Sequence, residues 1–168
     1  MTAFIIWLRA TALSQALQAQ AGWLWPLGET LHFVGLVMVL GFAGFFDLRL
    51  MGFMRRQVTI DGAHQFLTWA KVGFALSLLT GVMFFVSEPH QYVVKTIWWW
   101  KVGALALAGA NAFVFEAIVS KSLVGLPPNG DPPFSAKAIG AVSLVAWLSV
   151  LAFGRLLPYI QPGINSNL

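Results

Sequence analysis

Residues 27–46, LGETLHFVGLVMVLGFAGFF, decide the fold: twenty residues whose only ionisable side chains are Glu29 and His32. An α-helix rises about 1.5 Å per residue, so a run of this length crosses the roughly 30 Å hydrocarbon core of a bilayer. Three further runs of the same kind follow. Residues 66–86 contain Lys71, residues 97–119 contain Lys101, Asn111 and Glu116, and residues 138–157 are polar only at Ser143, Ser149 and Arg155. Strands are disfavoured, because a membrane barrel needs segments of about ten residues that alternate in polarity. The continuous apolar runs, with Gly and Ala spaced along them, suit helices that approach closely. The expected fold class is therefore all-α: a polytopic four-helix transmembrane bundle, with short connections that make successive helices antiparallel.

Composition agrees with this. The chain has 168 residues, 58% of them hydrophobic and 10% charged. Soluble domains average about 45–50% apolar and about 25% charged, which excludes a soluble globular domain, a disordered chain and a collagen-like fibre. The length suits one domain. With no Cys there are no disulfides, thiolate zinc sites, iron–sulfur clusters or Cys nucleophile. The net charge of +4 forms no patch for nucleic acid, and such residues anchor loops at anionic headgroups. Expected partners are the lipid bilayer and other membrane subunits or further copies of the chain.

Residues 1–22 form an expected interfacial amphipathic helix, with Phe4, Leu8 and Leu17 toward lipid or the bundle, ahead of a single domain over 23–168. Ala19-Gln20-Ala21 looks like a signal-peptidase site, but no basic region precedes the short apolar run that Arg9 ends, so retention is the better reading. Pro127, Pro128, Pro132 and Pro133 around Asn129-Gly130 make the third connection a stiff turn. An even number of spans puts both termini on one side, called side A. Trp7, Trp23, Trp25, Trp98, Trp99 and Trp100 gather there as an interfacial belt. Loops on the other side, side B, hold Arg49, Arg55, Arg56, Lys121 and Lys137, against Arg9, Lys95 and Arg155 on side A. The positive-inside rule then predicts side B in the cytoplasm and both termini outside.

Ionisable groups inside a span are costly and mark function or structure. They fall at two depths. Toward side B, Asp47, Arg49, Lys71 and Glu116 are expected to form structural ion pairs, Lys71 with Glu116 or Asp47, and Asn111 to hydrogen-bond between helices. His64 is expected in solvent on the same side. Toward side A, Glu29 and His32 share a helix face at i and i+3, Lys101 lies at similar depth, and Glu88-Pro89-His90 closes the second span. Three readings stay open there: a purely structural hydrogen-bonded network, a cofactor site and a metal site. For haem b or quinone, His32 is the first ligand, His90 the candidate second ligand, and Lys101 or Lys95 the cation for propionates, with Glu29 beside them. A single zinc, copper or iron would use His32, Glu29, Glu88 and His90. One Glu-x-x-His copy is too few for a di-iron bundle. No phosphate-binding loop, HExxH or recognisable catalytic triad occurs, and no catalytic residue is assigned.

Trp25-Pro-Leu-Gly-Glu-Thr-Leu-His32-Phe-Val-Gly35 followed by Phe46-Asp-Leu-Arg-Leu-Met-Gly52 resembles the first helix of a family of small four-span bacterial inner-membrane proteins with no assigned activity. Gly73-Phe74, Thr80-Gly81, Phe84-Phe85, Tyr92, Lys101 and Asn111 continue the likeness, which covers residues 4–120. Ile97-Trp98-Trp99-Trp100 departs from the Asn-Pro-x-Phe that members of that family often show before the Lys. The resemblance implies the architecture and no activity. A looser likeness to four-helix membrane cytochromes b rests on a helix 1 His alone. Three functions are expected candidates: an electron-transfer subunit using haem b or quinone, a non-catalytic accessory or assembly subunit of a larger complex, and transition-metal binding or transport.

Overall fold

The computed structural model describes residues 2–160, and all of its regular structure is helical. Four helices are long and apolar enough to cross a membrane: Ala21–Leu50, Ile60–Ser87, Thr96–Leu123 and Phe134–Leu156. The protein is an all-α, multi-pass membrane protein. Each span extends beyond its apolar run, because belt residues and loop-proximal polar residues continue the helix into the interface. Residues 161–168 of the expected domain lie outside the described residues.

The N-terminal segment is two short helices, α1 (Thr2–Arg9) and α2 (Ala12–Ala19), rather than one. Thr11 breaks them apart: its hydroxyl donates to the Leu8 carbonyl at 2.7 Å and accepts from the Ser14 amide at 3.3 Å, capping α2. Phe4 is exposed, while Leu8 and Leu17 are half-buried. Polar contacts hold the segment against the outer end of the second span. The Ser14 hydroxyl donates to the Val86 carbonyl at 2.9 Å, Gln18 Nε2 donates to the Ser87 carbonyl at 3.0 Å, and Arg9 pairs with Glu88 at 3.3 Å.

The spans do not pack in a ring of sequence neighbours. The side A half of the first span lies against the second, its side B half lies against the fourth, and the third packs on the fourth. Glycines permit both crossings of the first span. A Cβ on Gly73 would sit 2.7 Å from the Gly35 carbonyl oxygen, and one on Gly140 would sit 2.7 Å from the Asp47 carbonyl oxygen, so backbones touch at both points. A π-helical turn at Val39–Ala43 separates the two halves of the first span, and a second one, Phe115–Val119, lies in the third. Such a turn absorbs one extra residue, so the flanking helical faces keep their alignment.

The buried apolar cluster sits toward side B, where Phe46, Leu50, Ala63, Phe115, Val119 and Ala136 meet. Arg49, with no exposed surface, ties the loops there: its Nε donates to the Val58 carbonyl at 2.7 Å, and Nη2 reaches the Pro128 and Gly130 carbonyls at 3.4 and 3.5 Å. The second and third spans barely touch. They meet at the outer end, where the Phe85 and Trp98 rings stack at 5.3 Å. Two cavities fill the space between them, one toward each side.

Candidate functional site

The side A cavity, about 610 Å³, is bounded by the first and second spans on one flank and the third and fourth on the other. His32 is its best-fixed polar group. Nδ1 lies 2.9 Å from the Thr80 hydroxyl, which donates to the Leu76 and Ser77 carbonyls one turn back at 2.8 and 3.1 Å. Since that hydroxyl's one proton serves the carbonyls, the His32 contact is best satisfied with Nδ1–H as donor, which leaves Nε2 as an acceptor. No hydrogen bond engages Nε2 among the described residues. Gly81 lies beside the ring, where a Cβ would sit 3.5 Å from His32 Cε1, an ordinary contact distance. The next residue that binds this interface is Ser77, whose hydroxyl donates to the His32 carbonyl at 3.2 Å.

Aromatic rings wall the cavity. Phe84 meets His32 edge-on at 6.0 Å and Trp25 at 4.8 Å, and Phe85, Trp98 and Tyr92 complete that side. Lys101 crosses from the third span and lies over Gly154, where a Cβ would be 3.5 Å from its Nζ. Arg155 also borders the cavity and stacks on Tyr159 at 5.3 Å. Tyr92, on the connection outside the spans, has its phenol pushed up to about 12, first by burial and then by the negative charges of Glu29 and Glu88. It is a neutral donor across the physiological range.

The expected side A residues divide on inspection. Glu29, His32 and Lys101 border one cavity. Glu29 is exposed there and accepts from the Trp25 indole at 3.2 Å. Glu88 and His90 do not join them: Glu88 is engaged by Arg9, and His90 is exposed on the short helix Pro89–Val93. Among the described residues no three His, Asp or Glu side chains group as metal ligands, so the set His32, Glu29, Glu88 and His90 is not assembled in this geometry. Lys95 is spent elsewhere, donating to the Leu157 carbonyl at the end of the fourth span at 2.8 Å. A bis-histidine haem does not fit. His32 offers one nitrogen, but His90 is outside the cavity, and His64 is at the opposite end, edge-on to Phe46 at 5.6 Å.

On side B, Asn111 donates from Nδ2 to the Ile139 carbonyl at 3.1 Å and so joins the third and fourth spans. The expected ion pairs are not formed. The ion pairs among the described residues are Arg9–Glu88, Arg55–Asp131 and Lys137–Asp131. Lys71 and Glu116 are on the two spans that fail to pack, and they face the intervening cavity with exposed side chains. Asp47 is buried against the fourth span, with Oδ2 unpartnered. Arg49 serves backbone carbonyls instead of a carboxylate.

Thr80, Gly81, Tyr92, Gly154 and Arg155 were not assigned to the site from sequence. Thr80 offers a usable signal: a hydroxyl in an apolar span, one turn below an aromatic pair, suits a helix that must hold a ring. The chain matches no protein-family model, no characterised protein and no solved structure.

Proposed function

We propose that the side A cavity takes a lipid-soluble ring molecule of the quinone class, and that the protein serves as a membrane subunit in electron transfer. One observation carries this reading: His32 is held through Nδ1 by Thr80, with Nε2 unengaged, in a cavity of about 610 Å³ walled by Trp25, Phe84, Phe85 and Trp98. Flat aromatic ligands suit aromatic walls, and a few fixed polar groups orient them. Nε2 as it stands accepts a hydrogen bond from a quinol hydroxyl. Lys101 and the neutral phenol of Tyr92 are the donors for a quinone carbonyl. The likeness of the first helix to small bacterial inner-membrane proteins and the excess of basic residues in the side B loops support a reading in which side A faces the periplasm. The absence of Cys makes single-Cys labelling from either side a clean check of that orientation.

The test is a titration of the detergent-purified protein with a short-chain quinone, read by quenching of tryptophan fluorescence. Saturable quenching is expected, weakened about tenfold by His32→Ala through loss of one hydrogen bond of about 1.4 kcal/mol. Non-saturable quenching, equal in both proteins, refutes the reading. A dithionite-minus-air difference spectrum on the same sample decides for haem if it shows a Soret band that His32→Ala removes. Recovery of a stoichiometric partner subunit in mild detergent, with no quinone response, decides for the accessory role.

A further inference from the structure

The second cavity, about 400 Å³, lies between the second and third spans toward side B, separate from the His32 site. Its polar lining is Asp47, Lys71, Asn111, Glu116 and Ser143, set in an otherwise apolar wall. Three features set it apart from a packing defect. Lys71 and Glu116 border it from opposite spans without pairing to each other or to any other side chain among the described residues. Asp47, 4% exposed, borders it with a carboxylate oxygen that has no partner. Both π-helical turns border it as well, through Val39 and Ala43 in the first span and Phe115 and Glu116 in the third. Such turns recur at functional sites because they displace side chains and backbone from regular helical positions.

We propose that this cavity binds a zwitterionic glycerophospholipid with a primary ammonium, phosphatidylethanolamine, from the side B leaflet. The argument is charge complementarity. Lys71 and Glu116 bring one exposed cation and one exposed carboxylate to the cavity from opposite spans, so the matching headgroup carries one anionic and one cationic group. Lys71 answers the phosphate, its long stem reaching toward the headgroups. Glu116 accepts from the ammonium, and Asn111, whose Nδ2 is spent on the Ile139 carbonyl, has Oδ1 left to accept a second N–H. An acyl chain passes between Phe74 and Phe113, where the spans do not close on one another. A choline headgroup has the charge but no N–H to donate, and a phosphoglycerol headgroup has no cation.

The experiment is lipid exchange followed by native mass spectrometry of the full chain. Protein is stripped in detergent and re-equilibrated with equimolar phosphatidylethanolamine, phosphatidylcholine and phosphatidylglycerol of identical acyl chains. Retained phosphatidylethanolamine should exceed each competitor about tenfold, the ratio one charge-assisted hydrogen bond of about 1.4 kcal/mol supports. Glu116→Gln should remove most of that preference, and this exposed position leaves the packed core untouched. Equal retention of the three lipids overturns the proposal. So does a preference for phosphatidylglycerol, which would mark Lys71 as a simple anion contact. A preference unchanged in Glu116→Gln overturns it too. The wild-type competition decides on its own should the variant fold poorly, and His32→Ala should leave it unchanged.

Discussion

Replacing Gly73 by alanine should separate the first and second spans at their closest crossing. The new Cβ would sit 2.5 Å from Met38 Cβ and 2.7 Å from the Gly35 carbonyl oxygen. Carbon contacts settle near 3.5–4.0 Å, so the helices must part locally by about 1 Å. Neither neighbour is the free end of a flexible side chain; both are fixed to the backbone. Overpacking of this kind costs about 1–3 kcal/mol, and alanine returns up to about 1 kcal/mol in helix propensity, so the net loss is up to about 2 kcal/mol and the gap to a glycine-to-alanine change in open space is about 1–3 kcal/mol. The loss has a second readout, because the same interface carries the Ser77–His32 and Thr80–His32 hydrogen bonds. Unfolding in mixed micelles at increasing dodecyl sulfate fraction, followed by circular dichroism, measures the stability change. Quinone-type quenching measures the displacement of His32. Gly103→Ala is the internal control: nothing lies within 4 Å of its Cβ position, so that variant should be unchanged or slightly more stable. A Gly73→Ala protein as stable as Gly103→Ala would refute the close crossing.

Arg49→Ala should cost about 2–4 kcal/mol by leaving the Val58 carbonyl and its neighbours without donors, and Arg49→Lys should recover part of that loss; both are read in the same micelle unfolding assay. Deleting Gly41, inside the π-helical turn Val39–Ala43, should convert the turn to α-helix and preserve the fold, because both flanks keep their faces. Deleting Leu78, in a regular stretch of the second span, should turn everything beyond it by about 100° and take Thr80 and Phe84 away from His32, so that variant should lose folded yield in detergent. In a Tyr159→Phe background, the ultraviolet titration of Tyr92 should have its midpoint near 12, well above an ordinary tyrosine. The sign follows from burial: the folded protein holds the proton more tightly than the unfolded chain, so stability falls as pH rises from the unfolded value of about 10 toward 12. A midpoint at the ordinary value would place Tyr92 in open solvent.

The four spans were legible because hydropathy over twenty residues depends on composition alone, and the crossing of a bilayer demands it. The π-helical turns were not, since one additional residue in a run of Val, Leu, Phe and Gly changes no hydropathy; only the faces presented on either side betray it. Partner choice was hidden for a related reason. Gly35 and Gly73 were visible as small residues, but which glycine meets which is decided by complementary surfaces brought together in three dimensions. That gap explains the fate of the expected ion pairs. Depth along each span puts Asp47, Lys71 and Glu116 at one level, but pairing them also requires that sequence neighbours pack. The first span instead turns from the second to the fourth at Val39–Ala43, the third follows the fourth, and Lys71 and Glu116 are left facing each other across a cavity. The same arrangement accounts for the side A cavity: His32 and Lys101 belong to helix pairs that part company, so they border a space instead of forming a closed polar core. Both cavities thus follow from one packing arrangement: the first span lies on the second over its side A half and on the fourth over its side B half, while the second and third spans stay apart.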